Sequence, residues 1–236
     1  INRFLDKNIN LISKINCNFP FDTKFGNLVK DEINNLFESH NVKKFYAILI
    51  HDPLLPLYSD KWKIVNKVLN EYKKKKLIKK IGISLYNTFE LDNILNIFTP
   101  DIVQFPLNVF YQSFSNIELL KKLKRKKIEL HARSIFLQGS LLKKFYELNP
   151  ELKIWSRDFL QWSKFLSDNK INALKATLIF ALKNNLIDKF VIGLDNKKQF
   201  QDLKKEFLNI QKNKKILNNF NFDKLDSDNI ILSDPR

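Results

Sequence analysis

The feature that most constrains this chain is an apolar period that switches repeatedly between two values. Six short runs are apolar almost throughout, at residues 11–15, 46–51, 81–86, 101–105, 128–134 and 190–193. Between them apolar residues recur at helical spacing. Trp62, Val65, Leu69 and Tyr72 share one helix face, and Leu91, Ile94, Leu95 and Phe98 the next. Ile117, Leu120 and Leu123 follow, then Phe200, Leu203, Phe207 and Ile210. A strand apolar on both faces must be covered on both, and amphipathic helices are the cover on offer. The combination predicts an α/β chain of parallel strands layered with helices. No Pro-, Gly- or Ser-rich stretch divides the 236 residues, so a single domain over residues 1–236 is expected.

The strands follow one another at roughly 20 to 36 residues, with one gap of about 60 between the fifth and sixth. That gap, residues 136–189, contains Trp155 and Trp162 and predicts an extra loop and helix. Six β/α units fit within a closed eight-unit barrel, which typically takes ~250 residues. They fit equally within an open doubly wound sheet. The glycines, at 26, 82, 139 and 193 only, cannot build a G-x-G-x-x-G turn. This weakens the open dinucleotide-binding sheet without removing it.

A net charge of +16 raises nucleic acid as a partner. Arginine, however, supplies only five of the 41 basic residues, and phosphate-clamping surfaces favour its fork geometry over lysine. The lysine-rich runs 73–76 and 121–127 fall where helices should end, solvated and well placed against the helix dipole. Nucleic acid is therefore not the expected partner. The single cysteine, Cys17, excludes an intrachain disulfide and fits a reducing, cytoplasmic compartment. His40, His51 and His131 have no ligand spacing, so no metal is expected. A G-x-S-x-G elbow and a P-loop are both missing. No apolar run nears the ~20 residues that span a bilayer, and no secretory signal opens the chain. There is no methionine and the chain begins at Ile1, so a missing N-terminal piece is expected.

In a barrel, reactive groups gather at the C-terminal ends of the strands. Those ends read Lys14, His51, Ser84, Gln104, Arg133, Ser134 and Gly193, polar positions after apolar interiors. Lys14 at the end of an apolar strand is either snorkelling or poised, and His51 is either a satisfied structural group or a catalyst. On neighbouring strand ends the two make a proton-handling pair.

Four segments then stand together in order: Leu49-Ile50-His51-Asp52-Pro53, Ile81-Gly82-Ile83-Ser84, Asp101-Ile102-Val103-Gln104-Phe105-Pro106-Leu107-Asn108 and Val191-Ile192-Gly193. In order and spacing they resemble the aldo-keto reductases. The run from His131 to Leu142 resembles a bacterial branch associated with surface-polysaccharide and flagellin-glycosylation clusters. The resemblance extends from about Leu11 to the closing Ser233-Asp234-Pro235-Arg236.

The resemblance implies a (β/α)8 barrel that reduces a sugar-like or small aldehyde or ketone with NADP(H), NAD(H) not being excluded, and without a metal. In the family an aspartate, a tyrosine, a lysine and a histidine do the chemistry. Lys14 matches the lysine and His51 the histidine that orients the carbonyl. Ser84 and Gln104 match groups on the nicotinamide carboxamide, and Arg133 stands where many members stack a tyrosine on that ring. Ser134, with Gly193, Asn196, Lys197 and Gln199, matches the phosphate-binding positions. The last four lie on a strand-to-helix turn whose free N–H groups suit anions.

There are also departures. Nothing corresponds to the Asp-Thr-Ala…Tyr-Gly pattern that carries the aspartate and tyrosine, as if the chain began after about two β/α units. This implies that the chain alone does not turn over, with Tyr58, Tyr86 and Tyr111 as weak substitutes for the acid. Leu85 replaces a frequent asparagine. Asp195, near the expected 2′-phosphate position, is unwelcoming to an anion. The competing expectations are a barrel that keeps the pocket without catalysis and a basic protein that binds nucleic acid or anionic glycan.

Overall fold

The computed structural model describes residues 9–227, so the closing Ser233-Asp234-Pro235-Arg236 lies outside the described residues. Strands and helices alternate: β1 (Ile12–Ile15), α1 (Phe25–His40), β2 (Phe45–Ile50), α2 (Ser59–Lys74), β3 (Ile78–Ser84), α3 (Leu91–Ile97), β4 (Ile102–Pro106), α4 (Ile117–Arg125) and β5 (Glu129–Arg133). Two helices, α5 (Ser156–Asp168) and α6 (Ala173–Lys183), precede β6 (Lys189–Phe190) and α7 (Lys197–Lys212). The long gap thus holds the extra helix. The sheet has six strands in sequence order, and the pairings β1–β2, β2–β3, β3–β4 and β5–β6 are parallel. Contacts divide the chain into two units, one reaching Gln104 and adding Leu123–Leu130, the other comprising Phe105–Lys122 and the chain from His131 onward.

In the first unit β2 is the central element. Ala47, Ile48, Leu49 and Ile50 are all fully buried, as its unbroken apolar composition demands. Helix α1 buries Phe25, Val29 and Ile33 on one face, and α2 buries Trp62, Val65 and Leu69. Tyr72 and Phe98 are only half-buried, with the Phe98 ring 4.4 Å from Trp62. The register sets Gly82 opposite both Leu49 and Ile102. A Cβ on Gly82 would fall 2.7 Å from the Ile102 carbonyl oxygen and into the Leu49 side chain. At the opposite end of these strands the Tyr46 hydroxyl donates to Glu129 Oε2 at 2.7 Å, and Lys80 pairs with the same oxygen. Lys73 pairs with Asp101 Oδ2 at 2.5 Å, an oxygen that also accepts the Ile81 N–H. Burial first, then Glu129 against the opposing pull of Lys80, lifts the Tyr46 hydroxyl above its usual pKa.

In the second unit β5 and β6 pair through His131–Lys189 and Ala132–Phe190. The core is aromatic. Phe105 stacks on Phe114 at 4.5 Å, Phe110 meets Phe159 edge-on at 5.2 Å, and Phe222 lies 5.5 Å from Phe180. Trp162 is buried because its indole N–H donates to the Leu141 carbonyl at 2.9 Å. Two expectations differ here. β6 is a two-residue strand ending at Phe190, after which Val191 N–H still reaches the Ala132 carbonyl at 2.8 Å. On α7 only Ile210 is buried, while Phe200 and Phe207 are exposed. The face is apolar, but among the described residues little packs over its outer part.

Four helices end alike. Asn41, Lys76, Lys127 and Lys170 take positive φ after α1, α2, α4 and α5. The next N–H in each case reaches back: Val42 to Phe37, Leu77 to Tyr72, Ile128 to Leu123 and Ile171 to Leu166. This is the Schellman arrangement, with an apolar pair bracketing each turn. Both lysine-rich runs fall at such ends. Among the described residues no helix is long and apolar enough to cross a membrane.

Four outcomes follow from this packing. Gly82→Ala should lower unfolding free energy by about 1–3 kcal/mol in urea titration, since neither Leu49 nor the Ile102 carbonyl can yield freely. Lys76→Gly or Lys127→Gly should raise it by about 1 kcal/mol, because glycine takes the left-handed conformation without strain. Cys17 is buried, and that burial, with Glu32 and Asp52 adding to it, pushes its thiol up to about 12. A thiol reagent at neutral pH should therefore leave the folded chain unlabelled and react on unfolding. The raised pKa also requires stability to fall as pH rises above 9, where the unfolded thiol ionises first.

Candidate active site

Parallel strands place all their C-terminal ends on one side, so the side chains of interest meet without being near in sequence. Lys14 lies in β1, His51 directly follows β2, Ser84 ends β3 and Gln104 lies in β4. Register decides which of these share a face. Lys14 pairs with Leu49, Leu49 with Gly82, and Ser84 with Gln104. His51 is two residues beyond Leu49, and Ser84 two beyond Gly82. With a side-chain period of two, Lys14, His51, Ser84 and Gln104 all belong to one face.

The contacts agree with that parity. Lys14 Nζ donates to Ser84 Oγ at 3.2 Å across 70 residues of sequence. His51 Nε2 and the Tyr86 hydroxyl share a hydrogen bond of 3.3 Å, their rings edge-on at 6.3 Å. The His51 N–H donates to the Ile15 carbonyl, and the Leu85 N–H to that of Gln104. Ser84 is fully buried and Gln104 is 5% exposed, while Lys14, His51 and Tyr86 are half-buried. A cation, an imidazole and a phenol at adjacent strand ends can orient a carbonyl, stabilise a developing alkoxide and move a proton. Of the tyrosines weighed from the sequence, Tyr86 is the one hydrogen-bonded to His51.

The second unit holds a cavity of about 520 Å³, within the range of small-molecule sites. One wall is the end of β5 and its loop, with Arg133, Ser134, Phe136 and Gln138. The other is the turn into α7, with Gly193, Asp195, Gln199 and Asp202. Of the expected residues, Arg133, Ser134, Gly193 and Gln199 line the cavity, whereas Asn196 and Lys197 do not. Arg133 Nη1 donates to Ser134 Oγ at 3.3 Å. Ser134, Leu137 and Gln138 all have positive φ. Such strain in non-glycine residues costs of order 1–3 kcal/mol each and collects at ligand sites.

The turn into α7 is more closed than expected. Asn196 caps the helix by accepting the Gln199 N–H at 3.0 Å, so that N–H is not free. Gln199 Oε1 accepts the Asp195 N–H at 2.8 Å, and Gln199 Nε2 donates to Asp195 Oδ2 at 3.3 Å. Asp202 carried no signal in the sequence, since a carboxylate among the polar residues of an amphipathic helix forms no pattern of its own. Phe136, Leu142, Leu174 and Leu203 give this cavity an apolar wall and Arg133 a cation, a lining that fits the adenosine-phosphate part of a dinucleotide. In the first unit, the nearly buried Ser84 and Gln104 carry groups suited to an amide. Among the described residues no group of three or more His, Cys, Asp or Glu is placed to hold a metal ion.

Comparison with known proteins places this geometry. The sequence profile of the Aldo/keto reductase family matches residues 21–220. Among solved structures the chain is similar to PA4992 of Pseudomonas aeruginosa, described as an aldo-keto reductase. The TM-score is 0.61 at 11% identity, over 89% of this chain and 68% of that one. It is similar to aldo-keto reductase AKR11C1 of Bacillus halodurans, with TM-score 0.59 at 12% identity, over 85% and 67% of the two chains. It is similar also to the glycerol dehydrogenase AKR11B4 of Gluconobacter oxydans, with TM-score 0.50 at 12% identity, over 78% and 64%. No curated protein matches the sequence significantly. At such identities the structural likeness is one of fold, a (β/α)8 barrel to which this chain contributes six strands. With the family profile running from β1's following loop through α7, the chain belongs to the aldo/keto reductase family of oxidoreductases.

Proposed function

We propose that this chain reduces the carbonyl of a sugar-like or small aldehyde or ketone, using NAD(P)H, in the cytoplasm, with Tyr86 standing in for the tyrosine whose motif the sequence lacks, against the expectation that the chain alone does not turn over. The observation that carries the reading is the meeting of two hydrogen-bonded pairs, Lys14–Ser84 and His51–Tyr86, on one face of adjacent strand ends. When bound, the dinucleotide supplies the hydride. His51 hydrogen-bonds the substrate carbonyl oxygen and fixes its approach. The Lys14 ammonium stabilises negative charge as that oxygen becomes an alkoxide, and Ser84 holds the ammonium in place. Ser84 and Gln104 hold the carboxamide. Arg133 would stack on the nicotinamide ring and Ser134 would take the diphosphate, while Gly193 and Gln199 would face the adenosine end on the turn that Asn196 caps and Lys197 follows. The proton passes through the Tyr86–His51 pair. A lysine, a histidine, a serine and an amide suit proton handling better than metal ligation.

The test is reduction of a panel of small and sugar-like aldehydes and ketones, followed by loss of the reduced dinucleotide. His51→Ala should lower kcat by ~10²-fold or more, as removal of a proton-handling group does, while dinucleotide affinity changes little. Lys14→Met should lower kcat as strongly. Tyr86→Phe should reshape the pH profile of turnover without weakening dinucleotide binding. Saturable dinucleotide binding with no reduction across the panel would favour a barrel that keeps the pocket without catalysis.

A further inference from the structure

The resemblance that suggested a dinucleotide also implied NADP(H), whose adenosine ribose carries a 2′-phosphate. The walls of the cavity point elsewhere. Two carboxylates, Asp195 and Asp202, line it on the α7 side, and the cation in its lining is Arg133 at the β5 end. Lys197 and Lys198 sit in the first turn of α7 but form no part of that lining. A 2′-phosphate at this end would meet two negative groups.

The start of α7, which could otherwise attract a phosphate, already spends part of its donor capacity on the chain's own groups. A helix N-terminus binds anions through unsatisfied N–H donors and the positive end of its dipole. Here the Gln199 N–H is spent on Asn196 Oδ1 and the Asp195 N–H on Gln199 Oε1. The Asp195 carboxylate stands just before the cap, with Oδ2 held by the Gln199 amide, and takes the position an exogenous anion would want. A phosphate here would sit beside a negative charge that the Gln199 amide holds in place. A ribose with free hydroxyls asks for the opposite chemistry. Its 2′- and 3′-hydroxyls are donors, and a carboxylate accepts from them, the same discrimination by which acidic residues select unphosphorylated ribose in other dinucleotide sites.

We infer that the Asp195–Gln199 turn, with Asp202, selects an adenosine ribose bearing free hydroxyls, so that NAD(H) is preferred to NADP(H). The inference rests on the reading of this cavity as a dinucleotide site. Asp195 and Asp202 are exposed, so their charge is screened by salt and the preference is sharpest at low ionic strength.

The experiment titrates the full chain separately with NADH and NADPH, at low and at physiological salt, following dinucleotide fluorescence and checking by calorimetry. NADH should bind at least ~10-fold more tightly at low salt, and the ratio should narrow as salt is added. Asp195→Asn should tighten NADPH several-fold and weaken NADH, and adding Asp202→Asn should narrow the gap further. Asp195→Asn keeps the hydrogen-bonding shape of an exposed side chain, so a folding defect would not mimic this result. Equal affinities, or tighter NADPH, in the unaltered chain would overturn the selection and leave the dinucleotide reading intact. The same holds if Asp195→Asn leaves the ratio unmoved. Saturable binding of neither dinucleotide would overturn both.

Discussion

In the first unit everything depends on a register that sets a residue without a side chain between Leu49 and Ile102. Gly82 lets β2 and β4 close on β3 with the Leu49 side chain lying over it. That register then fixes the parity of every later position. Lys14, His51, Ser84 and Gln104 share a face because each is an even number of residues from the Lys14–Leu49–Gly82–Ile102 row. A slip of one residue in any strand would turn its polar end to the opposite face. The Lys14–Ser84 bond is a consequence of this row and also a check on it, since two residues 70 apart can meet only if three strands are in step.

Much of this was legible in the sequence, and the failures have physical causes. Strands buried on both faces announce themselves by composition alone, so β1 to β5 fall within a few residues of their expected spans. Their ends were less visible, because His51 and Tyr86 look like strand but lie just past the ends of β2 and β3. Helix α7 misled in another way. Its Phe200–Ile210 stripe has the spacing of a buried face, yet spacing reports only what a helix could bury, and burial needs a neighbour. Lys14, His51, Ser84 and Gln104 were found as polar residues ending apolar runs. The Tyr86–His51 bond could not be found this way, since two flexible side chains from different strands leave no period. Asp202 was invisible for the related reason that a carboxylate on a polar helix face carries no pattern.

Scarcity of glycine shapes the rest. With glycine at four positions, the chain must turn its helices with residues that resist a left-handed backbone. Asn41, Lys76, Lys127 and Lys170 accept it, and the cost is offset by one reach-back hydrogen bond and one apolar pair at each end. Ser134, Leu137 and Gln138 accept it too, in the loop that walls the cavity and not at a helix end. Leu137 there is fully buried, so packing holds the loop in a conformation that local preference opposes. The loop therefore presents Ser134 and Gln138 from a fixed frame, which keeps the ordering entropy low when a ligand arrives.

Charge is distributed with the same division between shell and site. The excess of +16 is carried by lysines, many at helix ends where water and the helix dipole accommodate them. Where the α7 turn meets the cavity the sign reverses, and the carboxylate of Asp195 is held by the Gln199 amide. The basic surface raises the concentration of any anionic molecule near the protein without distinguishing among them. Discrimination has to come from the short-range groups at the cavity. A carboxylate fixed at the mouth of a capped helix distinguishes a hydroxyl from a phosphate by donor and acceptor chemistry as well as by charge. Screening weakens only the second of these, so part of the selection should survive at physiological salt.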